Sequence, residues 1–85
     1  MSSHKRKDVA KRTARVHGHV HGIMKMIEDG RSYSEIVQQI SAVKSALDGA
    51  VEVIVEDLVE DCIAKSNKRD QESVLELKQV VSRMK

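Results

Sequence analysis

Apolar residues recur along this chain at intervals of three and four, the spacing that lines one side of an α-helix. Val9, Val16, Val20, Ile23 and Ile27 make the first such stripe. The pattern predicts a helix from about Lys5 to Asp29. Gly30 follows, at a place suited to a left-handed C-terminal residue. Ser32 or Ser34 can then cap a second helix, with Glu35 in its first turn. In that helix Ile36, Ile40, Val43, Leu47, Ala50, Ile54 and Leu58 form one seam, and Val37, Val51, Val55, Val59 and Cys62 form an apolar flank beside it. It is expected to run over 33–65, a length of about 50 Å at a rise of about 1.5 Å per residue. VEVIV at 51–55 alternates as a strand does, but the three-four register on both sides overrides it. The polar run SNKRDQ ends the helix, and Val74, Leu77, Val81 and Met84 mark a third over about 70–84.

The expectation is an all-α chain with one domain, 1–85. The first helix alone cannot cover both apolar sides of so long a partner, so the remaining side must meet another chain. Composition points the same way. The 85 residues include no proline, phenylalanine or tryptophan and one tyrosine. A chain this small usually holds its core with aromatics, disulfides or a metal, and here the apolar residues are aliphatic. One cysteine, Cys62, permits no intrachain disulfide, which suits a reducing cytoplasm. The start, MSSHKRKD, leads into no hydrophobic segment of the kind a secretory signal needs. No run approaches the ~18–20 apolar residues that span a bilayer, so no membrane is expected.

A net charge of +2 conceals an asymmetry. Lys5, Arg6, Lys7, Lys11, Arg12, Arg15 and Lys25 stand against one acid, Asp8, up to residue 25, whereas Glu52, Glu56, Asp57, Glu60 and Asp61 crowd the second helix with no base among them. A basic end suits phosphate, and an acidic stretch reads as a solvated helix face.

RVHGHVHG, from Arg15 to Gly22, interrupts the basic helix with two glycines and three histidines. At 100° per residue, Gly18 and Gly22 fall on the side opposite the apolar stripe, with Lys7, Lys11, Arg15 and Lys25. They leave a strip without side chains beside a line of cations. That strip suits a nucleic-acid backbone, with basic groups on the phosphates; it also suits the close approach of another helix, or a merely solvated face. His19 lies at the edge of the basic side. His17 and His21, four apart, share the other flank, where two imidazoles can hold a metal or stand as ordinary polar residues. His4 lies at the terminus.

These residues resemble the small helical bacterial repressors of the CsoR/RcnR type, which include copper, nickel and cobalt sensors, a formaldehyde sensor and a persulfide sensor. The first-helix pattern of that family, roughly Arg-Ile-x-Gly-Gln-Val-x-Gly-Ile, is met by Arg15, Val16, Gly18, Val20, Gly22 and Ile23, with His19 in place of the glutamine. Its second-helix pattern is met from Gln39 to Leu47, QISAVKSAL. The resemblance implies an antiparallel helical hairpin that dimerises into a four-helix bundle, and a dimer of dimers. It implies double-stranded operator DNA as partner, bound through Lys11, Arg12, Arg15, His19 and Lys44, and a small inducer that releases it.

The sensor positions depart from the family. In the copper sensors a cysteine opens the second helix, and a histidine and a cysteine follow four apart near its end. Aligned on QIS, those places hold Tyr33, Leu58 and Cys62. Leucine cannot coordinate, and a tyrosine hydroxyl with a pKa near 10 is a poor ligand for soft Cu(I), so the usual trigonal Cu(I) site is not expected. The persulfide and formaldehyde sensors also need the first cysteine. Cys62 either packs or senses. With His17 or His21 across a subunit interface it offers an N/S site for Ni(II), Co(II) or Zn(II). The expected function is a repressor released at a non-standard site; the alternative is a helical oligomer for protein interaction or metal binding without DNA. An enzyme is not expected, for no nucleophile–base pair or phosphate loop falls in register.

Overall fold

In the computed structural model of this chain, residues 3–64 and 71–84 are described. They form α1 (Ser3–Glu28), α2 (Tyr33–Ala64) and α3 (Gln71–Arg83). VEVIV is helical, in the middle of α2. Residues 65 and 70, where the pattern ends the second helix and begins the third, lie outside the described residues, as does the side chain of His4.

The α1–α2 corner is closed by its own backbone. Arg31 N–H donates to Met26 O at 3.0 Å and Gly30 N–H to Ile27 O at 3.1 Å, the paired bonds of a Schellman C-cap. Gly30 makes this possible with a φ of 73°, a left-handed conformation that a Cβ disfavours. Of the two serines that could cap α2, Ser32 does so: its Oγ accepts from the Glu35 N–H at 3.2 Å and donates to Glu35 Oε1 at 3.2 Å, a near relative of the capping box. Arg31 pairs with the same carboxylate.

From this corner α1 and α2 run antiparallel. Ile23, Ile36 and Val43 form the buried cluster, with Val16 and Met26 packed against it. The row continues along α2 to Ala50 and Asp57, so the buried positions 36, 43, 50 and 57 repeat every seven residues. Matching rows on α1 lie at 9, 16 and 23 and at 5, 12, 19 and 26, all partly buried or buried. Such seven-residue rows are what two helices crossing at a shallow angle bury.

The expected first stripe is therefore split. Val9, Val16 and Ile23 face α2, but Val20 and Ile27 are exposed, as are Val37, Ile40 and Leu47 on α2. One neighbour covers one side of a helix and no more. The acidic stretch is split as well: Asp57, expected on a solvated face, is only 3 % exposed, because it occupies the next place in the buried row and looks onto the N-terminal end of α1.

α3 returns along the C-terminal half of α2, where Arg83 and Met84 line a shallow groove with Asp48, Val51 and Glu52. Leu58 lies in that flanked half and is the most deeply buried large side chain, 2 % exposed. The molecule measures 57 × 25 × 13 Å. Among the described residues α1 and α3 each pack on α2 and not on each other, so α2 lies between them.

Candidate nucleic-acid interface and metal positions

Two sets of basic residues on α1 bear on the site, one facing α2 and one facing outward. The inward group is the row 5, 12, 19. Lys5 Nζ meets Glu60 Oε1 at 2.7 Å. That hydrogen bond chiefly raises the lysine's pKa above its ordinary value; the charges of Glu60, Glu56 and Asp57 add to it, against a lowering by burial. Arg12 Nε donates to Asp8 Oδ1 at 3.2 Å, and its guanidinium lies over Gly49, where an added Cβ would meet Nη1 at 3.4 Å. The His19 Nε2–H donates to Gln39 Oε1 at 2.7 Å. His19 and Gln39 belong to the two patterns that carry the family resemblance, so the two patterns touch.

The outward group is Lys7, Lys11, Arg15 and Lys25, all exposed. Gly18 and Gly22 lie among them, and a Cβ at either would meet nothing within 4 Å. The protomer itself has no steric need of these glycines. Lys11 and Arg15 have no ion-pair partner among the described residues, so their charge is available to a ligand.

Lys44 is exposed too, but it is not beside them. It lies seven residues after Val37 and in the same row, on the side of α2 that carries the exposed apolar residues. Arg12 and His19 border the opposite side, over Gly49 and Gln39. Within one protomer the five expected DNA-contact residues therefore form a ridge of four on α1 and a separate lysine on α2. Periodicity within each helix missed the cross-helix pairs with Glu60, Gly49 and Gln39. The signal that finds them is the polar row 5, 12, 19, which ends on the apolar Met26.

The three positions that the resemblance assigns to metal ligands do not make a donor set. Tyr33 is 85 % exposed and Leu58 is sealed in the interior without a donor atom; Cys62 is a free, half-buried thiol. No three His, Cys, Asp or Glu side chains converge on a common point among the described residues. His17 and His21 are both exposed on the outer flank of α1. Val16 packs against the cluster that contains Val43, and Cys62 lies nineteen residues further along α2. At a rise of about 1.5 Å per residue that is about 28 Å, so one protomer does not bring Cys62 to His17 or His21.

Residues 5–83 match the family described as metal-sensitive transcriptional repressor. Among solved structures, the nickel-responsive transcriptional regulator InrS superposes with a TM-score of 0.79 at 28% identity, over 91% of this chain and 89% of that one. The copper-sensing repressor CsoR with Cu(I) from Geobacillus thermodenitrificans NG80-2 superposes with a TM-score of 0.81 at 30% identity, over 99% of this chain and 90% of that one. No curated protein matches the sequence. No helix among the described residues is long and apolar enough to cross a membrane.

Proposed function

From the premise that this chain belongs to the metal-sensitive transcriptional repressor family, we propose that it represses transcription in the cytoplasm by binding double-stranded operator DNA. The bound form is a pair of hairpins, doubled again into a tetramer, and a small inducer releases it. The inducer, a metal ion or a reactive small molecule, acts at a non-standard site, since Tyr33 and Leu58 leave only Cys62 of the usual three ligand positions.

The observation that carries this reading is the exposed ridge of α1. Lys11 and Arg15 flank a strip in which Gly18 and Gly22 leave open space. Cations without partners favour phosphate, and backbone bare of side chains lets phosphate come close. Arg12 and His19 adjoin the ridge, steadied by Asp8 and Gln39. Lys44 joins the same duplex from a neighbouring hairpin, which is why the assembly matters to binding.

Association is supported by surface area. The protomer exposes 6805 Å², whereas a compact monomer of 9.5 kDa exposes about 5,000 Å². The surplus is of the order that stable dimers bury. The exposed residues Val20, Met24, Ile27, Val37, Ile40 and Leu47 supply the apolar surface to cover.

The test is a mobility shift or anisotropy titration of the metal-free protein on promoter DNA from its own operon. Lys11→Glu with Arg15→Glu is expected to abolish binding, while wild-type affinity falls steeply as salt rises. Binding unaltered by the double charge reversal, or absent from the wild type, overturns the reading in favour of an oligomeric module that does not bind DNA.

A further inference from the structure

We propose that His17 and His21 form a two-histidine site for a divalent transition-metal ion, Ni(II), Co(II) or Zn(II), on the outer flank of α1. Residues four apart on a helix stand one above the other, with Cβ atoms about 5–6 Å apart. Two imidazoles at that spacing close on one ion, as they do in helical His-x-x-x-His zinc sites. Imidazole is a borderline ligand suited to these metals rather than to soft Cu(I).

Three features of the structure favour the pair. Both rings are exposed, and neither makes a hydrogen bond or ion pair among the described residues, so no native contact has to break. The surroundings are clear: Ala10 and Ala14 lie on the same flank, and a Cβ at Gly18 or Gly22 would meet nothing within 4 Å. Water can therefore complete the coordination shell. Finally, the usual ligand positions of a metal-sensitive family are disabled here, by a leucine buried to 2 % exposure and a tyrosine at the surface, while histidines have accumulated on α1.

The position of the pair gives the ion something to act on. Around α1 the histidines fall between the exposed apolar residues Val20 and Met24 and the cations Lys25 and Lys7. The turn they span contains Gly18, a residue that weakens a helix. A bound ion ties residue 17 to residue 21 and stiffens that turn, next to both the DNA ridge and the apolar side. This consequence for DNA rests on the repressor reading; the metal site itself does not.

The test uses the full chain without DNA. Ni(II) or Zn(II) is titrated in competition with a colorimetric chelator, in wild type and in His17→Gln, His21→Gln, the double variant, Cys62→Ser and His4→Gln. Each of the first two is expected to weaken affinity by roughly tenfold or more, since even an outer-shell partner of a metal is worth that much. Cys62→Ser and His4→Gln are expected to match wild type. Hydrogen exchange of amides 18–22 should slow on adding Zn(II) to wild type but not to His21→Gln. Undiminished affinity in the double variant, loss in Cys62→Ser or His4→Gln, or no metal uptake by wild type overturns the site. Operator binding, measured separately on metal-free protein, is untouched by that outcome.

Discussion

Leu58 stands where the resemblance puts a metal-binding histidine, and it is the most deeply buried large side chain among the described residues, 2 % exposed. Leu58→Ala is expected to cost about 2–5 kcal/mol, read from urea unfolding. Leu58→His should also destabilise, because the imidazole exchanges solvent for an apolar interior, and with Tyr33 in place it should not create a Cu(I) site. A Leu58→His variant as stable as wild type would show that the position relaxes open. Lys5 tests the opposite kind of residue, an ammonium held by carboxylates at the rim. Its pKa is raised from 10.5, so its contribution is complete below that pH and is lost as pH rises through the higher folded value. Lys5→Met is therefore expected to lower the melting temperature slightly at pH 7, by an amount that shrinks only in strongly alkaline buffer and with added salt. The same deficit at both extremes would assign the effect to packing of the lysine stem.

At the scale of the element, α1 carries two glycines that serve nothing within the protomer. Gly18→Ala and Gly22→Ala meet open space and should each stabilise the helix by about 0.5–1 kcal/mol. If the bare strip lies against phosphate, the same variants bind operator more weakly although they melt higher; a rise in both would show that DNA keeps clear of this face. Gly30→Ala should destabilise, since its φ of 73° closes the cap. What the sequence shows of an element is its own periodicity, and the helical spans, the Gly30 stop and the serine cap were legible on that ground. The division of Val9, Val16, Val20, Ile23 and Ile27 into covered and open rows was not, because it depends on which side the neighbour takes. His19 with Gln39 and Lys5 with Glu60 were hidden for the same reason: each pair joins residues twenty or more apart, and a polar row at 5, 12 and 19 resembles a solvated face until a second helix lies on it. The register that sets Tyr33 and Leu58 at ligand positions came from the resemblance and not from any pattern within this chain.

At the scale of the whole molecule, the governing fact is that α1 and α3 touch α2 but not each other. Three helices so arranged have no interior except the lines along which they touch, and their other apolar rows are left open to a partner. The exposed row Ile40 and Leu47 lies on the same side of α2 as Lys44. Covering that row with a second hairpin therefore brings Lys44 to the rim of the joint, where it can share a duplex with the α1 ridge of the neighbour. Assembly and DNA binding should consequently fail together. Ile40→Glu with Leu47→Glu places two carboxylates in the joint without disturbing Ile23, Ile36 or Val43, so helicity should persist in circular dichroism. Sedimentation is expected to shift to the monomer and operator affinity to fall by roughly a hundredfold or more, about 3 kcal/mol, with a shallower dependence on salt because fewer phosphates are met at once. Lys44→Glu alone should weaken DNA binding while leaving the oligomer intact. A monomeric double variant that still binds operator at full strength would place the DNA ridge within a single hairpin, and Lys44 would then have to act from the far side of its own helix.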